Sequence, residues 1–200
     1  MSFGFPNQID CIADAIESHS RNIIFFAAAS NGGTNVEVAF PASADDVICV
    51  TSSDGLGNWS YFNPHGDGVK TGYSTLGEAI TSEYPEALEP SGSKTQSGTS
   101  FATPIAAGIA GLLLDFCGYY FGKLEFDDAE SLMKRLRKKR GMMKALNLIT
   151  KDSRSGTTRY IYPQMKFQSL LGSSGSNGQE AAFKVCKAFA LEIASVLRDM

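Results

Sequence analysis

Gly98-Thr99-Ser100-Phe101-Ala102-Thr103-Pro104 is the stretch that decides the fold, because it leads a hydroxyl residue into a long apolar segment. Residues 101–116 are almost wholly apolar or glycine, which predicts a buried helix. Pro104 fits such a helix when it lies in the first turn, where no backbone N–H is needed. Ser100 is therefore expected at the helix start, beside unpaired N–H groups and the positive end of the helix dipole.

Two interpretations of Ser100 follow from this position. A nucleophilic serine there would have an anion-binding helix terminus beside it for the oxygen of a tetrahedral acyl intermediate, and Gly98 would let a substrate backbone approach closely. Alternatively, Thr99 and Ser100 are helix caps, a position that both residue types favour. The heptapeptide alone does not separate the two interpretations.

A second informative segment, Ile23-Ile24-Phe25-Phe26-Ala27-Ala28-Ala29, precedes Ser30-Asn31-Gly32-Gly33. The continuous apolar run predicts a strand buried on both faces of a parallel sheet. Asn31 would then lie just past the carboxyl end of that strand, where ligands bind in open α/β sheets. Its amide could donate a hydrogen bond to an oxyanion, although Asn before glycines is also a common turn residue.

Together these segments resemble the subtilisin-like serine proteases, the subtilases, over residues 2–114. Gly98-Thr99-Ser100-x-Ala102-x-Pro104 is similar to the family's nucleophile motif, and Ala27-Ala28-Ala29-Ser30-Asn31-x-Gly33 is similar to its oxyanion-asparagine segment, with a typical spacing of 69 positions between Asn31 and Ser100. Ser2-Phe3-Gly4 resembles the stretch whose backbone pairs with an extended substrate. Two further ordered matches are Phe40-Pro41-Ala42 and Val47-Ile48-Cys49-Val50.

The resemblance implies an α/β, three-layer fold with a mainly parallel sheet, and it implies a serine endopeptidase that works through an acyl-enzyme. Ser100 would be the nucleophile and Asn31 the oxyanion donor. The residues expected to line the substrate path are Ser2, Phe3, Gly4, Ala28, Ala29 and Ser30. No cofactor or catalytic metal is expected, while a structural calcium ion is compatible with the family. Among subtilases, the similarity is closest to intracellular fungal members.

Three positions depart from the family pattern. Ser30 replaces the glycine that usually precedes the oxyanion Asn, and its side chain could narrow the specificity pocket. Phe5 replaces a second glycine after Gly4. Ile105 follows Pro104, where the family often has a noncatalytic His. The cleavage preference therefore stays open.

The catalytic base is the missing part of the pattern. The subtilase triad comes in the order Asp, His, Ser, and the segments with the first two precede every motif in this sequence. The chain has only two histidines. His19 ends a predicted amphipathic helix, and His65 lies near Asp67 in a loop rich in turn residues, so both are expected to be solvated. Because a serine hydroxyl is a weak nucleophile without a base, the chain alone is expected to be almost inert.

The chain organisation suggests a partial domain. Residues 1–165 are predicted to form a peptidase domain that is incomplete at its amino-terminal side, followed by a Gly/Ser-rich linker over 166–178 and an amphipathic helical extension over 179–200. Only residues 22–29 and 47–52 are convincing core strands. One hypothesis is an enzyme in which the missing amino-terminal part of the same protein supplies Asp and His. The other is a noncatalytic remnant that acts as a peptide-binding or interaction module.

Composition narrows the partners. The 200 residues are 43% hydrophobic with a net charge of −3, which is enough for a core and indicates no special partner beyond a polypeptide substrate. No membrane partner is expected, because no run of eighteen apolar residues occurs. No nucleic acid is expected either, because the basic residues of 134–140 are typical of a solvated helix face. The four dispersed cysteines are interpreted as buried small residues, which favours an intracellular location.

Overall fold

A computed structural model describes residues 1–65, 72–152, 159–168 and 176–200. The helices in these ranges are α1 (Asp10–His19), α2 (Thr99–Lys123), α3 (Ala129–Leu136), α4 (Lys139–Asn147), α5 (Gln164–Phe167) and α6 (Ser176–Arg198). The strands are β1 (Phe25–Ala28), β2 (Val47–Ser53), β3 (Tyr73–Leu76), β4 (Ile80–Glu83), β5 (Ser93–Gln96), β6 (Thr150–Asp152) and β7 (Arg159–Ile161).

The main sheet has the strand order β1-β2-β3-β7-β6. Its first four strands are parallel, with Ala28 opposite Val50 and Ser53 opposite Leu76, while β6 runs antiparallel to β7. β4 and β5 form a separate antiparallel pair. The predicted mainly parallel sheet is confirmed. The expectation of only two core strands was wrong, because β3 and β7 also have buried residues and are too short for a period-two hydrophobic pattern to reveal them.

Three layers arise because β1 and β2 are buried on both faces. Alternate residues, Phe26 on β1 and Ile48 on β2, join the large core beneath α2, α3, α4 and α6. The intervening residues, including Ala27 and Cys49, join a smaller core with Ile16 of α1 on the opposite face. This alternation follows from the pleat of a strand, and it explains why the sequence here is continuously apolar.

Helix α2 lies directly on the sheet. Ala102, Ala106 and Ala110 recur at every fourth position and are almost completely buried, so the helix approaches the strands closely. The opposite side of α2 is exposed, and we call it the open face: Pro104, Ala107, Gly108, Gly111, Leu112, Asp115 and Gly118. By length and composition α2 could span a membrane, but a sheet-packed core helix also meets that criterion.

The carboxyl-terminal helix α6 shares the large core, which it enters through Phe189, Ile193 and Leu197. It begins at Ser176, inside the segment predicted as a linker, and the first two residues of that segment, 166 and 167, belong to α5. Residues 169–175 lie outside the described ranges. The proposed division into a domain, a linker and an extension stays a prediction.

Two of the other sequence interpretations need correction or refinement. Cys49 and Cys117 are buried, and burial raises the pKa of each thiol to about 12, but Cys11 is exposed and Cys186 half-buried. Within the basic cluster, Arg135 donates a hydrogen bond of 2.7 Å to the Leu197 carbonyl, so it takes part in packing α6. The cluster is therefore not simply a solvated face.

Candidate active site

The structure brings together the segments around Ser2, Asn31 and Ser100, which lie far apart in sequence. Ser2 and Ser100 exchange two hydrogen bonds: Ser2 Oγ donates to the Ser100 carbonyl at 3.0 Å, and Ser100 Oγ donates to the Ser2 carbonyl at 3.3 Å. Asn31 contacts the residue next to Ser100, because the Thr99 N–H and Thr99 Oγ1 both donate to Asn31 Oδ1, at 2.8 and 3.0 Å. These contacts all meet at the start of α2.

Pro104 and Ser2 together explain the first of these contacts. Because α2 begins at Thr99, Pro104 lies in its second turn, and the prediction that it would lie in the first turn was wrong. A proline at that position cannot donate to the carbonyl four residues earlier, which is that of Ser100. The Ser2 hydroxyl donates to this carbonyl instead. The Ser2 hydroxyl thus replaces the missing helical hydrogen bond, and this contact holds the Ser2 segment beside Ser100.

Two N–H donors at the start of α2 have no acceptor among the described residues. One is the backbone N–H of Ser100, the second residue of the helix. The other is the side-chain Nδ2 of Asn31, whose amide is fixed in orientation because Oδ1 accepts both bonds from Thr99. No acidic side chain lies in the first turn of α2, so the helix dipole there is unopposed. Such an arrangement can bind an anionic oxygen.

Gly98 leaves room for the Asn31 side chain. A Cβ atom on Gly98 would lie 2.9 Å from Asn31 Nδ2, closer than van der Waals contact allows. The expectation that this glycine makes room for a substrate backbone stays a prediction. The space is taken by the Asn31 amide, and a side chain at position 98 would displace it.

The predicted substrate path divides into exposed and buried residues. Ser2, Phe3 and Gly4 are exposed, with Phe3 at 48%, and the chain is anchored just beyond them by hydrogen bonds of 2.7 and 2.9 Å between the Phe5 and Phe40 backbones. Ala28 and Ala29 have buried side chains. The Ala29 N–H donates to Val50, and its carbonyl accepts from Ala39. Of these positions, residues 2–4 have the backbone most accessible to a peptide.

Ser30 has a backbone conformation that suits glycine. Its φ is 141°, in a region that residues with a Cβ rarely adopt. Its side chain turns back along the loop, where Oγ accepts a hydrogen bond of 3.2 Å from the Gly32 N–H. This orientation gives no support to the hypothesis that Ser30 narrows the specificity pocket, which stays a prediction.

We expect Ser30→Gly to be more stable than Ser30→Ala by about 1 kcal/mol in the free energy of unfolding. Both variants lose the hydroxyl, and only glycine relieves the strain at φ 141°, a gain that exceeds its greater entropy in the unfolded chain. Urea denaturation of the two variants measures the difference. An alanine variant as stable as the glycine variant would show that the backbone at residue 30 is unstrained.

Neither histidine reaches Ser100. His19 Nδ1 lies 2.9 Å from the Ala15 carbonyl and 2.9 Å from Ser18 Oγ at the exposed end of α1. His65 is exposed, while Asp67 of the same loop lies outside the described residues. The Ser2 carbonyl is the only hydrogen-bond partner of Ser100 Oγ within the described ranges. The site therefore combines anion-binding donors with a hydroxyl that lacks a base in this part of the chain.

Three residues that support the site escaped the sequence analysis. Gly77 accepts a hydrogen bond of 2.8 Å from the Gly98 N–H, which fixes the turn before α2. Ser52 contacts Gly77, and Asn63 is fully buried against the Ser52 backbone. A polar Asn in a loop of aromatic and turn residues carries no pattern that would have identified it.

Comparison with known proteins identifies the family of this chain. The model of the Subtilase family matches residues 1–147. The chain is 32% identical over 114 residues to the minor extracellular protease Epr of Bacillus subtilis, which covers 56% of this chain and 17% of Epr. It is 38% identical over 94 residues to thermitase of Thermoactinomyces vulgaris, covering 47% and 31%. With the subtilisin-like protease het-Q2 of Podospora anserina it shares 32% identity over 139 residues, covering 64% and 37%.

Solved structures show the same fold. A cold-adapted subtilisin-like serine proteinase superposes with a TM-score of 0.56 at 25% identity, covering 82% of this chain and 53% of that one. The prenylagaramide maturation protease PagA superposes with a TM-score of 0.59 at 24% identity, covering 80% and 56%. The fold is that of the subtilisin-like proteins, and the chain belongs to the subtilase family. It spans well under half the length of the three relatives named above.

Proposed function

We propose that this chain is the nucleophile-bearing part of a serine endopeptidase. Ser100 Oγ attacks the carbonyl carbon of a peptide bond, and the Ser100 N–H and Asn31 Nδ2 stabilise the oxyanion of the tetrahedral intermediate. Collapse of that intermediate gives an acyl-enzyme and releases the amine, and water then hydrolyses the ester. The observation that carries the proposal is the pair of unoccupied donors beside a serine hydroxyl at a helix start.

The substrate is a polypeptide in extended conformation. The exposed Ser2, Phe3 and Gly4 offer their backbone to it by strand addition, on the same side of the site as Ser100. In this structure Ser100 Oγ donates a hydrogen bond to the Ser2 carbonyl. When a base binds the hydroxyl, Ser100 Oγ donates to the base and the bond to the Ser2 carbonyl breaks. The proposal requires no cofactor.

The base comes from protein outside these 200 residues, namely the amino-terminal part of a subtilase domain. Its place is next to β1 and α2. Met1 already pairs with β1 in parallel register, because its amino group donates to Phe26 at 2.6 Å and its carbonyl accepts from Ala28 at 3.0 Å. The open face of α2 has exposed glycines and a 70% exposed Leu112, so another element can pack closely there. Structures of the same fold are almost twice as long as the matched part of this chain.

The proposal is tested by casein hydrolysis with the natural full-length protein. Ser100→Ala is expected to abolish hydrolysis. Ser97→Ala is the matched control, because Ser97 lies three positions earlier, is exposed, and among the described residues has a single side-chain hydrogen bond, which it accepts from the Ala79 N–H. Hydrolysis that survives Ser100→Ala would overturn the assignment of the nucleophile.

A second candidate is a noncatalytic module that binds peptides along residues 2–4. The observation that favours it is the Ser100 hydroxyl, which contacts the Ser2 carbonyl and no histidine of the described chain. Full-length protein that binds an extended peptide, but leaves it intact in both wild-type and Ser100→Ala forms, would support this function over proteolysis.

A further inference from the structure

Asn63 is a fully buried polar side chain at the carboxyl end of β2. Its Nδ2 donates to the Ser52 carbonyl at 2.6 Å, and its Oδ1 accepts from the Ser52 N–H at 2.9 Å. One side-chain amide thus satisfies both backbone groups of a strand residue, as a neighbouring strand would. Because both partners are buried, loss of Asn63 would leave the Ser52 N–H unpaired, and the Ser52 carbonyl would keep only the 3.3 Å hydrogen bond from the Ser60 N–H.

The position of Asn63 connects β2 to the loop that carries Asn31. Pairing between β1 and β2 ends at Ala28 and Val50, with one more bond from the Ala29 N–H to the Val50 carbonyl. The chain then leaves the sheet, and the Asn63 amide takes its place next to Ser52. The carbonyl of Phe62, adjacent to Asn63, accepts a hydrogen bond of 2.9 Å from the Gly33 N–H. The loop of residues 30–33 is therefore attached to β2 through the segment that Asn63 fixes.

Ser52 also supports the turn before the nucleophile. Its Oγ accepts a hydrogen bond of 2.9 Å from Ser60 Oγ and lies only 2.5 Å from where a Cβ on Gly77 would be. The Gly77 carbonyl accepts from the Gly98 N–H at 2.8 Å. Because Ser52 Oγ packs tightly against Gly77, a displacement of Ser52 would also shift Gly77. Gly98 would then move with Gly77, to which it is hydrogen-bonded.

We propose that Asn63 is a positioning residue for the oxyanion site, an inference that rests on the proposed function. Through Phe62 and Gly33 it fixes the loop of Asn31, and through Ser52 and Gly77 it fixes the turn that presents Ser100. It touches no reacting group. Its effect is to hold the Asn31 amide and the start of α2 at the separation that the Thr99 hydrogen bonds record.

The test measures the Asn31–Thr99 contact directly in the ¹⁵N-labelled 200-residue chain. In Asn63→Ala, hydrogen exchange of the Thr99 amide is expected to rise at least tenfold relative to that of Leu113 in the middle of α2, and the Asn31 side-chain NH₂ resonances are expected to shift. A general loss of stability would accelerate hydrogen exchange of both the Thr99 and the Leu113 amides by a similar factor. Asn147→Ala is the matched control, because Asn147 Oδ1 accepts from the Tyr73 hydroxyl and Arg159 near the opposite end of β3. It should leave the Thr99 to Leu113 ratio unchanged.

Asn63→Asp is the second variant if Asn63→Ala does not fold, because it keeps the shape and the acceptor toward the Ser52 N–H and removes the donor to its carbonyl. In the full-length protein, either variant is expected to lower kcat by about 10- to 100-fold with KM little changed. Failure of Ser100→Ala to affect hydrolysis would refute the proposed function, and the exchange ratio would still test Asn63. An unchanged Thr99 to Leu113 ratio in a folded Asn63 variant would overturn this inference.

Discussion

The 200-residue chain by itself is expected to hydrolyse peptides on the order of 10⁶-fold more slowly than a full-length protein that supplies a base to Ser100. In this structure Ser100 Oγ donates to the Ser2 carbonyl, which cannot remove its proton in the pH range of a peptidase. Loss of the base alone costs about as much as loss of the whole triad, a result known from subtilisin itself. What survives is the part of catalysis due to the oxyanion donors and substrate binding.

The measurement compares the two proteins on one fluorogenic peptide, each beside its own Ser100→Ala form as the control for background. The preparation of the isolated chain must be free of full-length enzyme, because contamination at about one part in a million would equal the hydrolysis rate expected of the isolated chain. An isolated chain with kcat within tenfold of the full-length protein would contradict the account, since the described residues would then have to supply the base.

Asn31→Ala is expected to lower kcat of the full-length enzyme by about 10²- to 10³-fold, with a smaller change in KM. The reason is that its Nδ2 is one of two unoccupied donors at the site, and removal of one such donor costs about 2.7–4 kcal/mol in the transition state, a range also taken from subtilisin. Because the oxyanion forms only during reaction, the loss falls on kcat. Steady-state kinetics on a peptide substrate measure both constants.

Thr99→Val is the matched control for Asn31. It removes the hydroxyl that donates to Asn31 Oδ1 at 3.0 Å but keeps the backbone N–H at 2.8 Å, so the amide stays oriented and the loss should be several-fold at most. Asn31→Asp, which replaces the donor with a carboxylate, should be at least as damaging as the alanine variant. If Asn31→Ala retains more than a third of wild-type kcat, Asn31 is not an oxyanion donor.

The strongest features of the fold were predictable because they depend on local patterns. The apolar segment before Ser30 and the glycine-rich apolar helix after Ser100 identify a doubly covered sheet and its central helix, and the structure has both. The juxtaposition of Asn31 with the start of α2 was also expected, because the resemblance to the subtilases implies that Asn31 and Ser100 share one site.

The remaining features depend on contacts that no local pattern encodes. β7 has three residues and lies beside β3 only because the chain returns across the sheet. The sequence places Ser100 correctly at the helix start but Pro104 wrongly in the first turn, because the Ser2 hydroxyl satisfies the Ser100 carbonyl from 98 positions away. Gly98 lies against Asn31, which is far away in the sequence. Asn63 lies in a loop and donates a hydrogen bond to Ser52, 11 positions earlier. Such contacts are fixed by tertiary structure and not by residue spacing.

The central claim is that Ser100 is the nucleophile of this subtilase. Its most direct test is to treat the natural full-length protein with a fluorophosphonate, which forms a stable phosphonyl ester with an activated serine, and to locate the adduct by peptide mass spectrometry. We expect one adduct, on Ser100, that forms far more slowly in the isolated chain and is absent from Ser100→Ala. An adduct on another residue of the full-length protein, with Ser100 unmodified, would contradict it.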